Sequence, residues 1–129
     1  MTEWNPKTEQ LIRDVSDFVD KMLREVVDPN IGTATTIAHL FNERATAKSM
    51  YERAESELGI DLKKDWQGSI KKVIDLADAN GSNAADKLKK VLPVAKQLAD
   101  EFDFGPDTKM GKIKQVWTLN KIKKKGITF

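Results

Sequence analysis

The sequence predicts an all-α fold, a bundle of four to five helices with a basic C-terminal element that forms a helix or a short strand. Apolar residues recur at helical spacing along most of the 129 residues, and Gly, Pro and Asn clusters separate the periodic segments. The length is typical of one domain that buries about two thirds of its unfolded surface. The chain has no cysteine, so disulfides and thiolate metal sites are excluded.

The first predicted helix spans residues 6–27. Its apolar residues follow the i, i+3, i+4 pattern and form a wide stripe along one side of the helix, and the positions between them are mostly charged or polar. Asn5 and Pro6 are typical of a helix start, because asparagine caps free N–H groups and proline lacks one. Pro29 ends the segment, since the residue before a proline is driven out of helical geometry. The stripe comprises Leu11, Ile12, Val15, Phe18, Val19, Met22, Leu23, Val26 and Val27.

Three further helices follow in the prediction. The second is a long helix from about 33 to 58, in which threonines slightly lower helix propensity and allow a break near 44–47, and Gly59 is its expected stop. Asp61 caps the third, whose regular part is expected to begin only at Ser69 because Gly68 weakens the preceding turn. The fourth runs from about 84 to 102, where Pro93 predicts a kink or a split.

The tail is read as a helix from about 107 to 124, with a strand as the alternative. Met110, Ile113 and Trp117 share one helical face, whereas Leu119 and Ile122 fall elsewhere; a strand would instead alternate Trp117 and Leu119 with polar residues. We therefore divide the chain into an acidic helical bundle, 1–104, and a basic C-terminal element, 105–129, packed on or extending from the same domain.

Charge distinguishes these two parts. Residues 105–129 carry seven lysines against one aspartate, a net charge of +6, whereas the first 104 residues carry 15 Lys and Arg against 19 Asp and Glu, a net charge of −4. Such asymmetry predicts an anionic partner for the basic end: nucleic acid, an acidic protein or an acidic membrane surface.

The motifs of common enzymes and cofactor sites are missing from the sequence. His39 is the single histidine, and with Glu43 it supplies two ligands where a catalytic zinc usually has three protein ligands. There is no phosphate-binding glycine motif and no serine nucleophile elbow. The sequence therefore predicts a protein that is not an enzyme and has neither a metal nor a cofactor.

The turn at 80–83 is compared with a helix-turn-helix, because Gly81 follows Ala77 by four residues between two helices. Its second helix, 84–92, would present Lys87, Lys89 and Lys90. Lys87 occupies a position where an apolar residue would dock that helix, so a plain helical hairpin is favoured.

The basic tail is the main candidate site. Lysines neutralise phosphates without reading sequence, and an interleaved aromatic residue stacks on an unpaired base. The tail has no arginine, the usual reader of guanine, so sequence-specific recognition is not expected. The alternative is that these lysines neutralise the acidic body around 100–103. The predicted nucleic-acid-binding residues are Lys109, Lys112, Lys114, Trp117, Lys121, Lys123, Lys124 and Lys125.

The sequence thus favours a small nucleic-acid-binding or nucleoprotein accessory protein. The alternative is a protein–protein interaction module, an adaptor or inhibitor without nucleic-acid contact, and its helix faces also allow a homo-oligomer. A peripheral membrane protein held by the tail ranks third. The N-terminus resembles no secretory signal, and no apolar run reaches the roughly 18 residues of a transmembrane helix, so a cytoplasmic location is expected.

Overall fold

The computed structural model describes residues 4–62, 66–98 and 109–129, and within these ranges the chain is all-helical, without strands. The predicted fold class is therefore confirmed at the level of an all-α protein. The described residues form six helices: α1 (Pro6–Val27), α2 (Thr33–Thr46), α3 (Lys48–Leu58), α4 (Trp66–Ala79), α5 (Asp86–Gln97) and α6 (Lys109–Lys124).

Helix α1 lies at the centre and packs against each of the other five helices. Its predicted stripe is buried, except that Phe18 is half-buried against the Tyr51 ring, edge to face at 5.6 Å. The Asn5 side chain accepts a 3.0 Å hydrogen bond from the Thr8 amide, as expected for a cap. The first helix therefore has the predicted bounds and core.

The segment expected as one long second helix is divided into α2 and α3. Ala47 separates them, with φ −86° and ψ 0°, inside the region where the sequence allows a break. Gly59 ends α3 in the left-handed conformation, φ 65°, and its N–H reaches the carbonyls of Ala54 and Glu55. Both predictions are confirmed.

Helices α4 and α5 differ from expectation at their ends. Helix α4 is already helical at Trp66, before Ser69, so Gly68 does not delay its regular part as the sequence predicts. Helix α5 begins at Asp86 and continues through Pro93, whose ring is exposed, so the proline does not split it. Helix α5 ends at Gln97, with Leu98 as its C-cap, instead of continuing to about 102 as expected. The chain break expected at 104–106 lies outside the described residues.

Helix α6 confirms the helical reading of the tail over the strand alternative. It packs across α1 and α2. In the part of the chain that the structure describes, no helix combines the length and apolar character required to cross a membrane.

Candidate functional site

Helix α6 has one face docked on the body. Leu119 and Ile122 are fully buried there, with Gln115 and Lys123 beside them at 6% and 8% exposure. The sequence groups Met110, Ile113 and Trp117 as the apolar face of this helix, but the buried apolar pair is Leu119 and Ile122. The opposite face of α6 is therefore available for contacts outside the domain.

Lys123 is held at the end of α1. Its Nζ donates hydrogen bonds of 2.9 Å to the carbonyl oxygens of Glu25 and Asp28. Burial lowers the pKa of Lys123, and the negative charges of Asp28 and Glu25 partly oppose that shift. This lysine, one of the predicted nucleic-acid contacts, has its amine directed into the protein.

The outward side of α6 combines an aromatic residue with lysines. Trp117 is 76% exposed, and Ile113, one turn before it, is 48% exposed. Three exposed lysines lie on the same side of the helix as Trp117: Lys114 is three residues before it, Lys121 four residues after it and Lys124 seven residues after it. We call these five residues the Trp117 face. Val116, 37% exposed, lies at its edge.

The neutral polar side chains of α6 are already engaged elsewhere. Gln115 is buried and has a polar partner. The Thr118 hydroxyl donates to the Lys114 carbonyl at 2.9 Å, and the Asn120 side-chain oxygen accepts a short hydrogen bond from the Thr33 hydroxyl. Contacts from the Trp117 face therefore come from its lysines, Trp117 and the adjoining aliphatic side chains.

Two lysines of this face, Lys114 and Lys124, form no ion pair with any residue in the described ranges. Lys121 does have a polar partner, as does Lys125 in the turn after α6. Two exposed ammonium groups with no such pair thus lie on either side of an exposed indole. Within the described residues, no carboxylate therefore neutralises Lys114 or Lys124.

The second lysine strip differs in this respect. Lys87 pairs with Asp17 at 2.7 Å and Lys89 with Asp78 at 2.6 Å; the hydrogen bonds to these carboxylates raise the pKa of each lysine. Of the three lysines in the proposed recognition helix, only Lys90 forms no ion pair with a described residue. The charges of Lys87 and Lys89 are therefore already neutralised by carboxylates of the protein.

Some predicted contacts cannot be placed. Lys109 and Lys112 belong to α6, but their side chains lie outside the described set. The acidic segment 100–103, the expected internal partner of the tail, also lies outside the described residues. Within the described residues, Lys123 and Asn120 form hydrogen bonds from the tail to the end of α1 and the start of α2.

The His39 and Glu43 side chains face α1 through separate pairs. His39 makes a short contact through Nδ1 to the Glu25 carboxylate, whereas Glu43 accepts a 2.9 Å hydrogen bond from Lys21. Among the residues described, no three His, Cys, Asp or Glu side chains are grouped as a metal site. An open depression between α1 and α5 is lined by Asp17 and Lys87, whose charges pair with each other.

Two features of the site were missed by sequence reasoning. The inward direction of Lys123 follows from its position four residues after Leu119, which places both on one helical face. The Arg24 guanidinium lies over the Phe129 ring, with its central carbon 4.5 Å from the ring centre. No local pattern in the sequence identifies Arg24 as the partner of Phe129.

Comparison with known proteins gave no relative for this chain. No protein-family model, no curated protein and no solved structure matches it.

Proposed function

We propose that this protein is a small, non-enzymatic nucleic-acid-binding or nucleoprotein accessory protein that contacts phosphates without reading sequence. The observation that carries the proposal is that Trp117 is 76% exposed and lies among exposed lysines, on a helix that has no acidic residue. The acidic helical body holds this helix in place through its opposite face. The surface needs neither a cofactor nor a metal to bind an anionic polymer.

The chemistry of the partner follows from the lysines. An ammonium group pairs with a phosphate as a point charge and displaces a condensed counterion, so binding weakens as salt rises. Four described lysines of the tail are exposed: Lys114, Lys121, Lys124 and Lys125. If each neutralises one phosphate, the slope of log K against log salt is about −3 on a single strand and about −4 on a duplex.

The test is a fluorescence-anisotropy titration of the full chain against labelled single-stranded and duplex oligonucleotides at several salt concentrations. A triple variant, Lys114→Gln, Lys121→Gln and Lys124→Gln, is expected to flatten the salt slope by about 2 to 3. Salt-sensitive binding that this triple variant weakens supports the proposal, and the absence of binding at low salt rejects it.

A matched control carries the same loss of charge elsewhere. Lys71, Lys90 and Lys96 are exposed on α4 and α5, away from α6 in sequence, and the three changes to Gln remove three positive charges as well. If this control weakens binding as much as the α6 triple variant, net charge alone governs binding and the Trp117 face has no special role.

A second candidate function is a protein–protein interaction module, and exposed aliphatic residues favour it. Ile113 and Val116 adjoin Trp117, and aliphatic side chains contribute less to nucleic-acid binding than lysines do. The partner would be an acidic protein or a second copy of the chain. Sedimentation across a concentration series tests the second copy: association that Trp117→Ser abolishes supports a homo-oligomer, and a constant monomer mass rejects it.

A further inference from the structure

We infer that the ligand of the Trp117 face is an unpaired single strand, one base of which stacks on the Trp117 indole. This inference deepens the proposed function and depends on it, because it names the form of nucleic acid that the surface selects.

The first step concerns which groups can touch a base. Asparagine reads adenine with its oxygen and nitrogen together, but the Asn120 oxygen already accepts a hydrogen bond from Thr33. Gln115 is buried, and the Thr118 hydroxyl donates to its own helix. The remaining group with a strong and sequence-tolerant affinity for bases is the Trp117 indole, which offers a flat aromatic surface to any base.

The second step concerns spacing. At 1.5 Å per residue, Lys114 and Lys121 lie about 4.5 Å and 6 Å along the helix axis on either side of Trp117, and Lys124 lies about 10.5 Å beyond it. A base stacked on the indole has one phosphate before it and one after it. The lysines on both sides are placed to pair with those two phosphates, so stacking and charge pairing occur together.

The third step distinguishes single strands from duplexes. In a duplex each base face is covered by its neighbour, so stacking on Trp117 requires unstacking that costs about a few kcal/mol. In a single strand that cost is small, and the indole gains its contact directly. Charge pairing by the lysines favours the duplex, which releases more counterions per neutralised phosphate, so a preference for a single strand has to come from Trp117.

The experiment uses the full chain with oligothymidylate, an abasic strand of the same length and a duplex of that length, by fluorescence anisotropy at one salt concentration. The wild-type protein is expected to bind oligothymidylate more tightly than the other two ligands. Trp117→Leu is expected to weaken oligothymidylate binding about 5- to 140-fold, the equivalent of about 1–3 kcal/mol per stacked base, and to leave abasic and duplex binding nearly unchanged.

Trp117→Phe is the matched variant, since it keeps a ring that stacks, whereas leucine keeps only apolar bulk. Phenylalanine is expected to retain most of the affinity for oligothymidylate. Because Trp117 is mostly exposed, both variants should fold as the wild type does, which far-UV circular dichroism verifies. Equal losses in the two variants would mean that Trp117 does not act through ring stacking, and the inference would be overturned.

The remaining outcomes separate this inference from the proposed function. Equal affinity for single strand and duplex, unchanged in Trp117→Leu, overturns the single-strand inference but leaves nucleic-acid binding intact. No binding to any oligonucleotide overturns both. Cosedimentation with vesicles of phosphatidylglycerol and phosphatidylcholine, in the absence of oligonucleotide binding, also overturns both and assigns the face to an anionic membrane.

Discussion

Lys123→Met tests whether α6 is held on the body by a buried ammonium group. In the wild type, Lys123 Nζ donates to the carbonyls of Glu25 and Asp28, each at 2.9 Å, at the C-terminal end of α1. Helix ends of this kind favour a cation, because their last carbonyls lack intrahelical donors and carry partial negative charge. Methionine keeps most of the aliphatic stem and removes only the charged donor.

The expected cost follows from two opposing effects. Each hydrogen bond from a charged donor contributes about 1.5–3 kcal/mol, but burial of the ammonium group offsets part of this. Both carbonyls also retain a backbone donor at 3.3 Å, from Asp28 N–H to Glu25 and from Ile31 N–H to Asp28, so neither is left unpaired. We therefore expect the free energy of unfolding to fall by about 1–3 kcal/mol.

Urea unfolding followed by circular dichroism measures this change. With a denaturant slope of about 2 kcal/mol per molar urea, the midpoint should fall by about 0.5–1.5 M. The control is Lys124→Met, the same substitution at the next residue, whose side chain is exposed. If the two variants unfold within about 0.5 kcal/mol of each other, the buried contact does not stabilise α6 and the reasoning is refuted.

The other predictions concern pH, helix capping and the two faces of α6. Burial lowers the pKa of Lys123 in the folded chain below its ordinary value of 10.5. At a pH between these two pKa values, the unfolded chain therefore binds more protons at this residue than the folded chain does. The free energy of unfolding of the wild type, relative to that of Lys123→Met, should therefore increase as the pH is raised through that range. Urea midpoints measured at several pH values test this. Asn5→Ala should cost about 1 kcal/mol by removing the acceptor of the Thr8 amide, and Asn5→Asp should largely retain the cap, as thermal unfolding can verify. Leu119→Ala should lower the free energy of unfolding by about 2–5 kcal/mol, because Leu119 is fully buried. Ile113 is 48% exposed, so Ile113→Ala should lower it by less than about 0.5 kcal/mol. Similar denaturation midpoints for the two variants would contradict the assignment of the buried and exposed faces of α6.

The local elements were predictable where several independent signals coincide. At α1 the apolar stripe, the Asn5–Pro6 start and the Pro29 stop all indicate the same bounds, and the structure has them. The break at Ala47 follows from threonines in a long periodic segment. Helix α5, by contrast, passes Pro93 because tertiary packing stabilises it: Leu88, Val91 and Val94 are buried around that position, and this packing outweighs the lost hydrogen bond.

The orientation of α6 was less accessible to sequence reasoning. Both candidate faces of this helix contain apolar residues, and Trp117 is the largest of them. Periodicity alone therefore predicts that the face with Trp117 is buried, whereas the buried face is the one with Leu119 and Ile122. The choice depends on the partner surface: α1 and α2 receive Leu119 and Ile122, and the Glu25 and Asp28 carbonyls at the end of α1 receive Lys123. Those acceptors lie some 95 residues away in the chain, so no local pattern can reveal them.

The exposure of Trp117 is difficult to explain by folding. Docking of α6 is provided by its other face, and burial of a large aromatic side chain would have gained free energy that this chain leaves unused. A solvent-exposed indole favours association, and the positive charge of the neighbouring lysines favours an anionic partner over a cationic one. The same helix therefore has a face that fixes its position and a face whose composition suits a negatively charged ligand. Because the first face includes Lys123, loosening α6 should also weaken binding at Trp117, which links the stability and binding predictions.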